Sequence, residues 1–471
     1  MRLVTVTTTA DTAEAIGLTG FAIDSPGIGG ILKARVQDFR VEEIATKISL
    51  DPKGRFTAAN ITLTNWETNR FINRLAKNLS ISRNRIFFAG TKDKRAITKQ
   101  LFIIDAAQNM VEKVEIPDVD IQVVGRTHQK LGFGNHRGNR FTIVARGCAD
   151  ENGEPLSSDE ALQRVEKIKN GLADKLGAGL FPNWIGPQRF GRGRPVTPVV
   201  GRHVIAEDWQ GAVMAYLTMT GHEERSEAST FRNRILKEGI SAQLLEEIPS
   251  WLGFEADLMR HLVEKPDDWI GAFRKLPNNL QLMTVHALQS VAFNRTLQAR
   301  IDNDMPISIP LEGDVVGRVD EKGQLDVSSM VKVDDRILPR LARNCHLGRL
   351  VVTGQLPGGD YLRTSSKIGN IEDDVLTEMG LAGLDWQVKA IGRLSTKGTR
   401  RPLVTTFNDL VVDSVPIAEL SSLDERWQVG PAQGAIWHAE GACIRFRFTL
   451  SSGSYATTLL REFMHCPLNQ I

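Results

Sequence analysis

Phe88-Ala-Gly-Thr-Lys-Asp93-Lys-Arg-Ala-Ile-Thr-Lys-Gln100 joins an apolar run to a cluster of cations around one acid. Ile86, Phe87, Phe88 and Ala89, with Ile81 upstream, predict a buried strand that Gly90 ends. Asp93 follows at once, held between Lys92, Lys94 and Arg95. From 70 to 100 there are nine Lys/Arg (70, 74, 77, 83, 85, 92, 94, 95, 99), and Asp93 is the single acid. Cations this dense favour the ionised form of a nearby carboxylate and attract phosphates. An anion inside a polyanion-binding patch works against affinity, which points to a chemical task for it. The same residues also fit a solvated turn in which Asp93 pairs with its neighbours, since Asp is common in turns. This segment alone leaves both readings open.

The rest of the composition narrows the class. At 471 residues the chain exceeds one ordinary domain. Its 41% hydrophobic and 24% charged residues belong to the soluble globular class. No run of apolar residues reaches the length of a membrane span, so no membrane partner is expected. Met1-Arg-Leu-Val-Thr-Val-Thr7 alternates like a strand and lacks a signal-peptide core. Four scattered cysteines (148, 345, 443, 466) without a C-x-x-C pair predict neither a zinc site nor a disulfide framework, and fit a cytoplasmic protein. Cys345-His346 and His465-Cys466 read as packing, and no metal is expected. The net charge is only +2, yet residues 125–147 carry five Lys/Arg and no acid. Arg189, Arg192, Arg194 and Arg202 form a second acid-free stretch, while acids collect elsewhere, as at Glu372-Asp-Asp374. Local basicity in a near-neutral chain fits a defined nucleic-acid face.

Residues 1–147 read as strands with short helices, including Leu101-Phe-Ile-Ile104 and Phe141-Thr-Ile-Val-Ala145. Ser157 with Glu160 predicts a capping box, and Leu162, Val165, Ile168 and Leu172 give the helix stripe behind it. Helical segments then alternate with a Gly- and Pro-punctuated β-like region up to about 405. The helix predicted over Leu280–Arg300 carries an apolar stripe of Leu282, Val285, Leu288 and Ala292. Strand patterning returns at Leu403–Phe407 and at Cys443–Leu450, where alternation puts Ile444, Phe446, Phe448 and Leu450 on one face. Gly132-Phe-Gly-Asn-His-Arg-Gly138 has the wrong spacing for a dinucleotide loop and precedes a strand-like run. No Walker A motif is present, so no nucleotide cofactor is expected.

Gly90, Lys92, Asp93, Ala96, Thr98 and Gln100 fill every fixed position of G-x-K-D-x-x-A-x-T-x-Q, and the string resembles the signature of the TruD family of tRNA pseudouridine synthases. Three more segments agree in order. Leu32–Glu43 is similar to the family's N-terminal K-x-x-P-E-D-F-x-V-x-E segment, with Val36 and Gln37 in place of Pro and Glu. Asn183–Gly191 is similar to N-Y-F-G-x-Q-R-F-G, with Trp184 and Ile185 replacing Tyr and Phe. Gly453-Ser-Tyr-Ala-Thr457 with Arg461-Glu462 is close to the C-terminal motif. Gln289-Ser290 and Phe293-Asn294 also resemble a family segment; they fit either a core helix tying down loops or an RNA contact.

The resemblance implies an α/β fold of the α+β type: a catalytic domain with a mixed, mainly antiparallel sheet and an inserted second α+β domain. The expected layout is 1–190 and 406–471 for the catalytic domain and 191–405 for the insert. It implies an isomerase that converts the uridine at position 13 of tRNA to pseudouridine, with Asp93 as the catalytic carboxylate and no cofactor. Lys33 matches the lysine that pairs with that aspartate. Lys130-Leu131, Gly134, Gly138-Asn139 and Phe141 match K-L-x-x-G-x-x-x-G-N-x-F, so Phe141 is the expected ring that stacks on the extruded base. Asn139 is expected to meet the uracil edge or to position Asp93. Lys92, Lys94, Lys130, Arg189 and Arg192 are the expected contacts to RNA. Rival readings are a non-catalytic RNA-binding protein or chaperone on the same scaffold, and a synthase acting on other RNAs.

Overall fold

Alternation along Cys443–Ser451 buries Ile444, Phe446, Phe448 and Leu450 on one face, as the pattern predicts. In the computed structural model, which describes residues 12–191, 193–221, 224–320 and 323–471, this strand belongs to a ten-stranded sheet. The order is Val119–Thr127, Phe56–Thr64, Ile97–Ile104, Phe39–Ala45, His136–Cys148, Cys443–Ser451, Val404–Val415 and Leu180–Pro182. Gly29–Ile31 pairs with the His136–Cys148 strand and Ile86–Phe88 with Ile97–Ile104. Phe39–Ala45 and Ile97–Ile104 run parallel, and the other described registers of this sheet are antiparallel. The chain is therefore a mixed, mainly antiparallel α+β fold. The apolar run read as a strand at 101–104 begins four residues earlier, at Ile97, because Thr98 and Gln100 are also buried on the sheet.

The parallel pair positions the site. A parallel neighbour requires a crossover, and here it runs through Phe56–Thr64 and the helix Thr68–Asn78. The crossover brings the segments preceding the two strands to the same end of the sheet. Lys33 precedes one strand and Asp93 the other, so topology alone makes them neighbours.

Two groups of helices cover one face of this sheet from its two ends. Phe71, Ile72, Leu75 and Ala76 of Thr68–Asn78 pack on Ala59, Ile61, Leu63, Phe102 and Ile104. At the other end, Phe463 of the Ala456–Met464 helix meets Phe446 at 5.5 Å between ring centroids. Ser158–Leu176 packs beside it, opened by the expected capping box of Ser157 and Glu160. Between these layers lies the middle of the face. There Val41, Phe141 and Phe448 form one cross-strand row, and Glu43, Asn139 and Leu450 form the next.

The chain divides into two units. Ala22–Phe181, Val319–Gln324 and Thr405–Ile471 form the unit just described. Residues 12–21 join Pro182–Arg318 and Leu325–Val404 in the other. Its core runs from Val196 and Val200 through Trp209, Phe231 and Leu258 to Phe273 and Leu288. It also holds a four-stranded sheet ordered Leu325–Lys332, Val315–Val319, Val351–Leu356, Thr399–Pro402. The expected layout placed residues 1–190 in the catalytic domain; residues 12–21 and 182–190 group with this second unit. Asn183 donates its backbone N–H to Leu403 O and its amide to Pro402 O, and Ile185 N donates to Asn294 Oδ1. Asn294 Nδ2 also donates to Ile16 O, and Gly20 N donates to Gln298 Oε1. These bonds fasten both segments to the Asn278–Asp302 helix. Of that helix's expected stripe, Val285, Leu288 and Ala292 are buried and Leu282 is exposed. Gln289 and Asn294 are spent on holding loops, since the Gln289 amide donates to Pro357 O. The strand expected over residues 1–7 lies outside the described residues.

Candidate active site

Lys33 Nζ donates to Asp93 Oδ2 at 2.7 Å. Lys33 is 5% exposed, whereas the Asp93 side chain keeps 36% of its surface open. A buried ammonium thus anchors a carboxylate that solvent or a ligand still reaches. The ammonium also lies 4.4 Å from the centroid of the Phe39 ring, a favourable cation–π position. Lys33 adopts φ = 54°, in the left-handed region that costs a non-glycine residue about 1–2 kcal/mol. Strain held in place at a charged pair is characteristic of functional sites.

The loop that carries Asp93 is tied down along its length. Gly134 N donates to Ala89 O at 2.7 Å, and Gln100 Nε2 donates to Gly90 O at 3.3 Å. Lys92 N donates to Thr68 Oγ1 at 3.0 Å, on the first residue of the Thr68–Asn78 helix. Asn65 N donates to Ala96 O. Lys92 Nζ lies 2.9 Å from Glu43 Oε2, and both side chains are buried. Lys92 is therefore an internal strut next to Asp93 rather than a phosphate contact, which corrects its expected role. The structural cause is a buried acid on the inward face of Phe39–Ala45. Alternation of Phe39, Val41 and Glu43 in that strand was the available signal, since an acid on an apolar face demands a partner.

Asn139 and Phe141 sit on one face of the His136–Cys148 strand, two residues apart. Asn139 lies across from Glu43, so the strand pairing links it to the Lys92 strut. Its Oδ1 is buried, with no hydrogen-bond partner among the described residues. A buried acceptor without a donor is costly, and it is what a ligand N–H would satisfy. Phe141 stacks on Phe448 at 5.4 Å and 25°. It is 7% exposed, so the expected stacking ring is a mostly covered one with Phe448 as its backing.

Lys94 is exposed on the same loop. The exposed Lys130 has its ammonium 4.9 Å from the Phe87 centroid and 5.5 Å from Phe56. Arg189 belongs to the other unit, on the single turn Pro187–Arg189. Burial, and then Arg189, push the His286 imidazole below its usual range. Arg192 lies outside the described residues.

Asp38 and Arg146 carry no role legible in the sequence. Asp38 is 1% exposed and takes both Arg146 Nε at 2.7 Å and Nη2 at 2.8 Å, with Arg35 adding bonds at 3.0 and 3.1 Å. Burial alone would raise its pKa, but Arg146 and then Arg35 outweigh it and hold the carboxyl low. This fork–fork pair fixes the turn between Lys33 and the strand at Phe39. A small recess lined by Ile31, Arg146, Leu423, Trp437 and Cys443 includes none of the expected site residues. The four cysteines are buried and free, and no group of three or more His, Cys, Asp or Glu suits a metal among the described residues.

A mixed sheet with helices packed on one face, and a lysine-anchored, partly open carboxylate on the loop before one of its strands, is an arrangement compatible with a nucleic-acid isomerase of the pseudouridine synthase class. The family model described as tRNA pseudouridine synthase D (TruD) matches residues 15–463, and the chain belongs to that family. It is 32% identical over 457 residues to a "Probable tRNA pseudouridine synthase D" of Methanosarcina mazei, covering 96% of this chain and 97% of the relative. A protein of the same name from Halobacterium salinarum is 34% identical over 470 residues, with 96% of each covered. A crystal structure of a TruD protein from Methanosarcina mazei superposes with a TM-score of 0.79 at 32% identity, over 97% of this chain and 98% of that one. The chain is a pseudouridine synthase, and no helix among its described residues is long and apolar enough to cross a membrane.

Proposed function

We propose that this synthase isomerises the uridine at position 13 of tRNA and that Asp93 is its catalytic carboxylate. The Lys33–Asp93 pair carries the reading: a buried ammonium holds one oxygen of a carboxylate whose side chain stays 36% open. The reaction breaks the N1–C1′ bond, turns the base, forms C5–C1′ and releases the C5 proton. It is redox-neutral, and one ionised carboxylate serves it either as nucleophile or as base. The orphan Oδ1 of Asn139 supports recognition of uracil. Uracil presents N3–H as a donor, whereas cytosine presents a bare N3 that would face the oxygen repulsively. Phe141, backed by Phe448, offers an aromatic surface that replaces part of the stacking lost on extrusion, worth about 1–3 kcal/mol per base. Lys94, Lys130, Arg189 and Arg192 remain proposed RNA contacts, with affinity falling as salt rises. The domain built from both ends of the chain is proposed as the catalytic one, since Lys33, Asp93, Asn139 and Phe141 all lie in it.

Release of tritium from tRNA labelled at uridine C5 tests the activity, and sequencing of pseudouridine in the product tests the position. The expected result is one modified site, at 13, and no release by Asp93→Asn. Full activity of Asp93→Asn would end the assignment of that residue. Modification elsewhere would end the assignment of the position.

A further inference from the structure

The geometry points to Asp424 as the positioning residue that sets the distance between Lys33 and Asp93, a role that rests on Asp93 being the catalytic carboxylate. Asp424 lies far along the chain from both, yet it bonds to the segments that carry each. Its backbone N–H donates to Ala34 O at 2.9 Å, one residue after Lys33. Its Oδ2 takes Arg95 Nη2 at 2.6 Å, two residues after Asp93. Its Oδ1 accepts Arg426 N at 3.3 Å as the cap of Glu425–Gln428. One residue thus holds the two halves of the charged pair from the same point.

The anchor is rigid on one side and electrostatic on the other. Leu423 and Trp427 pack with Ile31, Ala34 and Trp437, and Trp427 meets Trp437 edge-on at 5.8 Å. The 423–427 turn is therefore fastened to the Lys33 segment by apolar contact. Its described tie to the Asp93 loop is the ion pair with Arg95, whose charge is 30% exposed against 37% for Asp424. Burial would raise the Asp424 carboxyl, and the Arg95 bond and the cap outweigh it. The neighbouring residues of the loop are held by Thr68, Glu43 and Asn65, so removing the clamp shifts Asp93 without unfolding the loop.

Asp424→Asn separates the two functions of the residue. Asparagine caps a helix as well as aspartate does and keeps the backbone bond to Ala34, but it loses the charge that holds Arg95. Misplacement of a reacting group by about 1 Å costs on the order of a hundredfold in rate. Under saturating tRNA, Asp424→Asn is expected to lower kcat at least about tenfold, with KM and melting temperature unchanged. Arg95→Ala should lower kcat similarly, and the double variant should be no slower than Arg95→Ala alone. A purely structural role would move the melting temperature and leave kcat per folded molecule intact. Asp424→Asn with wild-type kcat beside an inactive Asp93→Asn would overturn the clamp alone. Full activity of Asp93→Asn would overturn the underlying assignment, and the clamp with it. Additive losses in the double variant would also overturn it, because the two residues would then act separately.

Discussion

Replacing Lys33 by methionine keeps most of the side chain's bulk over Phe39 and removes the ammonium at 2.7 Å from Asp93. A hydrogen bond to a charged group contributes about 1.5–3 kcal/mol. Asp93 is one-third open, so water replaces part of that interaction and leaves about 1–2 kcal/mol of orientation and charge holding. At 1.36 kcal/mol per tenfold, kcat should fall about 5- to 30-fold. The Lys33 ammonium is itself buried, so KM for tRNA should change less than about threefold on the same reasoning. Single-turnover tritium release at saturating tRNA measures the first quantity, and filter binding measures the second. Lys33→Ala and Lys33→Gly refine the test through the backbone. Alanine keeps the left-handed conformation at φ = 54° without the side chain, and glycine relieves it. Lys33→Gly should therefore be the more stable of the two by up to about 1 kcal/mol, while both are equally slow. A Lys33→Met protein with more than half the normal kcat, beside an inactive Asp93→Asn, would refute the reasoning.

Asn139→Ala should cut kcat/KM on uridine-containing tRNA about tenfold or more with little change in melting temperature, because its oxygen bonds nothing among the described residues. Denaturant titration of Asp38→Asn should show a loss of about 3–5 kcal/mol, since Arg146 is left buried and unpaired. The Asp38 carboxyl is held low in the fold, so its stabilisation is complete above its ordinary value of 3.8 and is lost as pH falls through the lower folded value. The gap between wild type and Asp38→Asn should accordingly close only in strong acid. Burial, reinforced by Arg461, pushes the His465 imidazole down to about 4. The unfolded chain binds that proton near 6.5, so the folded chain loses stability as pH falls from 6.5 to 4, by on the order of 3 kcal/mol. His465→Asn tolerates the left-handed cap at φ = 46° and should lack this dependence; a parallel pH curve for the variant would refute it.

The strands at Cys443–Ser451 and Ile86–Phe88 and the capped helix at Ser158–Leu176 were legible because period-2 and 3.6-residue patterns register burial directly. The candidate site was legible as far as side-chain type and local order carry chemistry. A lone acid among cations marked Asp93, and the matching segments marked Lys33, Asn139 and Phe141. Lys92 went the other way: its sequence neighbours are cations, but its partner Glu43 comes from a different strand. The same holds for Asp38 with Arg146 and for Arg95 with Asp424, pairs separated by more than a hundred residues along the chain.

Periodicity and charge density are local properties, so the chain itself shows the strand at Cys443–Ser451, the capped helix at Ser158–Leu176 and the lone acid of a basic stretch. Tertiary structure decided which cation neutralises which acid. A parallel crossover set the starts of Phe39–Ala45 and Ile97–Ile104 side by side, and that brought Lys33 to Asp93. Ion pairing depends on distance through space, and no spacing along the chain encodes it before the sheet has closed.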